Sequence, residues 1–68
     1  MPEFFAFEAE AEDAGERLDR FVAQKMESLS RSAAHRLILS GDILVDSQAS
    51  KPRAKLRCGQ KVSIRLPE

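Results

Sequence analysis

The 68-residue chain has no tryptophan and no tyrosine, one cysteine, one histidine, and only three glycines and three prolines. A lone Cys58 excludes an internal disulfide, and without a second thiol the paired spacing of a structural zinc site is missing, so no metal is expected. Cys58 reads as a small, partly buried residue in a turn. The aromatics reduce to four phenylalanines, each of which reads as a core or strand residue, leaving no exposed platform on which unpaired bases could stack. One histidine, one cysteine and no cluster of carboxylates cannot fill the roles of nucleophile, base and oxyanion stabiliser together. The chain is therefore assigned no catalytic residue and no cofactor. No apolar run approaches the roughly 20 residues of a membrane span, and no basic stretch followed by an apolar core opens the chain. A cytoplasmic monomer without membrane contact is the expectation.

What remains is a composition of 43% apolar and 32% charged residues, the mix of a small soluble module. Sixty-eight residues allow one domain with a modest core. A formal net charge of zero conceals a split. Residues 1–16 hold six acids (Glu3, Glu8, Glu10, Glu12, Asp13, Glu16) and no Lys or Arg, whereas residues 17–68 hold all eleven basic residues against five acids, a net of +6. An acidic leader precedes a basic body. Summed positive fields and counterion release make nucleic acid a natural partner for such a body.

Apolar and polar residues alternate with period two from Phe5 to Ala11, which predicts a half-buried N-terminal strand. Asp13-Ala14-Gly15-Glu16 offers either a capping box for the helix that follows or a turn marked by Gly15. Leu18, Phe21, Val22, Met26 and Leu29 recur at helical spacing and predict a first helix with this stripe on the core; Arg17, Arg20, Gln24 and Glu27 fall on its other side. Lys25 projects into the stripe, its stem on apolar surface and its ammonium in water. Ser30 is suited to cap a second helix that Gly41 closes in the left-handed conformation. Ala33, Ala34, Leu37 and Ile38 point inward from that helix, and Arg31, Ser32, His35 and Arg36 point outward. Leu39 falls among the outward positions, either under a neighbouring segment or at a contact with something outside the chain. Ile43-Leu44-Val45 reads as a strand, Asp46-Ser47-Gln48 as a turn, and Lys61 to Leu66 as a last strand with Val62, Ile64 and Leu66 inward, after which Pro67 and Glu68 end the chain. The first and last strands are suited to share a sheet. The stretch from Ser50 to Arg57 reads as a basic, extended connection anchored by Leu56. The fold class is α+β, two short helices packed on a small, mainly antiparallel sheet.

Two basic segments carry the chemistry. The start of the second helix combines unpaired N–H groups and a positive dipole end with the hydroxyls of Ser30 and Ser32 and the guanidinium of Arg31, a seat for phosphate. Arg31 and His35 lie one turn apart on the exposed face, as do Ser32 and Arg36, so several donors can follow a nucleic-acid backbone together. The connection adds Lys51, Arg53, Lys55 and Arg57 within seven residues. If it folds beside the helix, the two segments form one cationic groove.

The stretches GERLDRFVA (Gly15 to Ala23), LSRSAAHRLILSGDILVD (Leu29 to Asp46) and KPRAKLRCGQKVSIRL (Lys51 to Leu66) together resemble the S-four RNA-binding domain, also called the alpha-L RNA-binding fold. The acidic strand ahead of Gly15, followed by Glu16-Arg17-Leu18-Asp19, is most similar to the N-terminal module of RluA/RluD-type pseudouridine synthases of bacterial ribosomal RNA. The resemblance implies one domain over residues 1–68, with an acidic strand over 1–14 and the core motif over 15–66, and a catalytic domain elsewhere in a parent isomerase. It implies RNA, ribosomal RNA first, as the partner, with Arg31 as the helix-start arginine, Ser30 and Ser32 as its flanking hydroxyl residues and Lys51 to Lys55 as the basic loop. Together with the polar-face residues Arg17, Arg20, His35 and Arg36, the expected RNA-binding residues are Arg17, Arg20, Ser30, Arg31, Ser32, His35, Arg36, Lys51, Arg53 and Lys55. A free-standing or differently fused ribosome- or tRNA-binding protein of the same fold, or a protein-interaction module using Leu39 and the acidic strand, is the alternative. The chain departs from the pattern at Asp46-Ser47, where Asn-Gly is common and which predicts a less regular hairpin. Cys58 stands at a common proline, and His35 stands where some relatives have arginine, making that contact weaker or pH-dependent. The catalytic aspartate of these synthases also follows an Arg-Leu pair, but a Thr-Ser-Gly-like segment comes next there. Asp19, followed by Arg20-Phe21-Val22, is instead expected to pair with a nearby basic residue or to sit at the favourable end of the helix dipole.

Overall fold

Ser30 and Gly41 set the limits of a helix as their chemistry requires. In the computed structural model, which describes residues 2–66, the Ser30 hydroxyl accepts the Ala33 N–H at 3.1 Å. Gly41, at φ +86°, ends the helix: the Asp42 N–H reaches the Leu37 carbonyl and the Gly41 N–H the Ile38 carbonyl, the paired bonds of a Schellman close. The elements in chain order are β1 (Glu3–Glu8), a single 3-10 turn (Ala11–Asp13), α1 (Leu18–Lys25), α2 (Arg31–Ser40), β2 (Ile43–Val45), β3 (Gln48–Ala49) and β4 (Lys61–Leu66). Among the described residues no helix is long and apolar enough to cross a membrane.

The strands form one antiparallel sheet in the order β1-β4-β2-β3, so the first and last strands do pair, Phe5 opposite Ile64 and Phe7 opposite Val62. Ile43 and Val45 continue these rows across β4. Side chains alternate across a strand, so Phe5, Phe7, Ile43, Val45, Val62 and Ile64 share the inner face. The helices cover that face with Leu18, Phe21, Val22, Ala34 and Ile38, and Leu56 from the connection completes the core at 2% exposure. The α+β architecture matches the sequence pattern. Lys25 also sits as its position suggests, its Nζ 5.4 Å from the Phe21 ring centroid.

Several local expectations are corrected. β1 stops at Glu8, and Ala11 is exposed in the 3-10 turn, because the Glu10 N–H bonds to the Asp13 carboxylate at 2.9 Å and turns the chain. Asp13 is thereby engaged and does not cap α1; Gly15, at φ +85°, marks the turn. Helix α1 ends at Lys25, so Met26 and Leu29 meet the core from the link between helices. Gln48 belongs to a strand, since Asp46 (φ +50°) and Ser47 (φ +66°) alone make a two-residue hairpin turn between Val45 and Gln48. That conformation is the one Asn-Gly usually supplies, so the hairpin keeps regular pairing with less suitable residues. Asp46 is held there by its carboxylate, which accepts the Lys61 N–H at 3.0 Å. Cys58 is exposed, not partly buried. Phe4 is 71% exposed on the outer face of β1, so the expectation of no exposed aromatic fails: the β1 alternation that turns Phe5 and Phe7 inward turns Phe4 out. Pro67 and Glu68, expected to end the chain after the last strand, lie outside the described residues.

Candidate nucleic-acid interface

The start of α1 is capped by the basic connection. Its N-cap residue, Arg17, contributes no side-chain cap. Instead the Leu18 N–H donates to the Ala54 carbonyl at 2.8 Å and the Asp19 N–H to the Pro52 carbonyl at 3.0 Å, while the Arg20 N–H donates to Asp19 Oδ1 at 2.8 Å. These are the orphan donors of a helix start, and main chain from residues 52–54 satisfies two of them. The Gly15 N–H to Leu56 and the Leu56 N–H to Glu16 extend the ribbon, in which Arg17 and Lys55 stand directly opposite each other. Opposed residues in an antiparallel pair project to the same side, so the two cations leave the ribbon together.

The connection therefore lies beside the helices. Asp19, Arg31, Ser32, His35 and Arg36 line an open depression over the start and middle of α2. Arg17, His35, Leu39, Lys51, Pro52 and Arg53 line a second. His35 borders both, so the two depressions adjoin on one face and together make a groove from the start of α2 to the connection. Five cations face a single carboxylate, and that carboxylate is already committed. Asp19, 4% exposed, accepts from Arg17 Nη2 at 3.1 Å and lies 3.7 Å from Arg31 Nη2. It has both features expected of it, a basic partner and a place in the first turn of a helix, and it ties the arginine at the start of α1 to the arginine at the start of α2 beneath the groove.

Seven of the ten expected site residues line this groove: Arg17, Arg31, Ser32, His35, Arg36, Lys51 and Arg53. Three do not. The Ser30 hydroxyl is used in capping, Arg20 turns away to Glu16 at 3.5 Å, one helical turn back, and Lys55 stands at the flank opposite Arg17. The opening of α2 is exposed, and no described residue accepts the N–H groups of Arg31 and Ser32. Arrayed N–H donors and guanidinium groups around a trough suit a chain of phosphates. Pro52, buried at the groove wall, escaped the sequence pattern; Leu39, marked there as lying under a neighbouring segment or at an outside contact, lines the groove at 65% exposure and is under no neighbour. The only signal for Leu39 was a leucine among polar helix positions.

No family model matches the chain. It is 32% identical over 54 residues to the ribosomal large subunit pseudouridine synthase C of Escherichia coli, an alignment covering 79% of this chain and 17% of the relative. It is 38% identical over 53 residues to the ribosomal large subunit pseudouridine synthase D of Xanthomonas campestris, covering 78% and 16%. An uncharacterized RNA pseudouridine synthase of Aquifex aeolicus is 37% identical over 69 residues, covering 100% and 21%. The chain spans about a fifth or less of the length of these relatives. A small α+β domain with a cationic groove is thus similar, over most of its length, to one short segment of RNA pseudouridine synthases.

Proposed function

We propose that this chain is an S-four-type module that binds structured RNA, ribosomal RNA first, and holds it for the catalytic domain of an RluA/RluD-type pseudouridine synthase. The observation that carries the reading is the adjacency of the two depressions: Arg31, Ser32, His35 and Arg36 from α2 stand beside Arg17, Lys51 and Arg53 on one face outside the core. Similarity to a short segment of pseudouridine synthases supports the same division of labour, with uridine isomerisation carried out by residues beyond this chain. In that role Arg36, Lys51 and Arg53 meet phosphates, Arg17 and Arg31 do so while anchored on Asp19, and Lys55 extends the flank. The module works in the cytoplasm as a monomer.

The test is an electrophoretic binding series with ribosomal RNA fragments across several salt concentrations. Five groove cations set against phosphates give a slope of log K on log salt between about −3 and −5. Replacing Arg36, Lys51 and Arg53 together by alanine reduces that slope by about 2–3 and leaves the fold intact, because none of the three forms an ion pair with another described residue. Unchanged RNA binding by the folded triple variant would refute the proposal and favour a protein-interaction module.

A further inference from the structure

Two large apolar side chains are strongly exposed among the described residues, Phe4 at 71% and Leu39 at 65%. Phe4 stands on the outer sheet face, away from the helices, with nothing to indicate what covers it. Leu39 is different, because its surroundings select an occupant. It is the exposed apolar side chain of the groove lining, beside the buried Pro52, and the rest of the lining is Arg17, His35, Lys51 and Arg53. An apolar protein segment seated there would offer carbonyl acceptors but no anionic group, leaving the charges of Arg17, Lys51 and Arg53 partly desolvated and unpaired. The outside of a continuous RNA duplex offers phosphates and riboses and leaves Leu39 against water-loving surface. An unpaired nucleotide supplies both requirements, an apolar base face and a phosphate on each side.

Resting on the RNA reading above, we infer that the Leu39 end of the groove holds one unpaired nucleotide. Its base lies against Leu39 at the edge of Pro52, and its flanking phosphates meet Arg17, Lys51 and Arg53. Leu39 is eight residues beyond Arg31, about 12 Å along the helix axis. The paired stem therefore lies over the start of α2, with Arg31, Ser32 and Arg36 on its backbone, and the extruded nucleotide sits two turns further on. Leu39 thus sets specificity for irregular over continuous duplex, while the arginines set affinity for both.

The experiment compares two RNA hairpins of equal stem length, one continuous and one carrying a single bulged adenosine, each titrated with the natural chain and with Leu39→Ser, Leu39→Phe and Arg36→Ala. The natural chain prefers the bulged hairpin. Leu39→Ser loses about fivefold in affinity for the bulged hairpin and nothing for the continuous one, since only an apolar contact is removed. Leu39→Phe gains affinity for the bulged hairpin alone, a result that a merely structural role would not give. Arg36→Ala weakens both hairpins equally. Leu39 is exposed, so thermal melts of its variants match the natural chain. Leu39→Ser binding both hairpins as the natural chain does, or weakening both alike, overturns the inference while leaving the RNA reading intact. A natural chain that binds neither hairpin in a salt-dependent way overturns both.

Discussion

Asp19→Asn and Asp19→Ala remove the carboxylate beneath the groove in two different ways, and the structure gives each a separate cost. A charge-assisted hydrogen bond to a buried carboxylate contributes about 1.5–3 kcal/mol. Here the partners Arg17 and Arg31 have side chains 47% and 57% exposed, and solvent screening reduces the net contribution of the pair to about 1 kcal/mol. Asparagine keeps an oxygen for the Arg20 N–H and loses only this charge interaction, so Asp19→Asn costs about 1 kcal/mol. Alanine also removes the acceptor at the start of α1, adding about 1 kcal/mol more. For a domain of this size each kcal/mol lowers the melting temperature by about 4–8 °C, giving drops of about 4–8 °C for asparagine and about 8–16 °C for alanine. Thermal unfolding followed by circular dichroism in low salt measures both. A melting temperature for Asp19→Ala within about 2 °C of the natural chain, against the expected 8–16 °C, would show that the carboxylate does not hold the two arginines in solution.

Ser47→Gly stabilises the protein by about 0.5–1 kcal/mol, because a left-handed turn position strains a side chain but not glycine; a urea titration would read this as a higher midpoint at unchanged slope. Leu56→Ala costs about 2–4 kcal/mol by opening a cavity, a large part of the stability available to so small a domain. Because Leu56 anchors the ribbon that caps α1, hydrogen exchange at the Leu18 and Asp19 amides accelerates in that variant more than exchange at the core of β4. Asp42 contributes to the acid response: a hydrogen bond from the Ser40 hydroxyl and then one from Arg65 hold its carboxyl below the ordinary value of 3.8. Protons bind more tightly to the unfolded chain than to the folded one at this site. Its stabilisation is thus fully present above the ordinary carboxyl range and is lost as pH falls through the lowered folded value. Asp42→Asn is accordingly less stable than the natural chain near neutrality, and the difference closes progressively below about pH 4; equal melting temperatures for the two at pH 7 would contradict this assignment.

The limits of α2, the inner face of the sheet and the division of each helix into apolar and polar sides were legible in the sequence because each depends on residues within a few positions of one another. Ser30 can cap only the helix that follows it, Gly41 reverses the chain where it stands, and periodicity alone separates Ile38 from His35. The cationic groove needed more. That Lys51 and Arg53 lie beside His35 depends on the Pro52 and Ala54 carbonyls bonding the amides at the start of α1, a contact made across more than 30 residues between main-chain groups that no side-chain pattern announces. Asp19 reaching Arg31 on the other helix, the exposure of Phe4, and Leu39 in the lining of a charged groove belong to the same class. Local chemistry decided which surfaces are apolar and which are basic; only the packing of distant segments decided which of those surfaces meet.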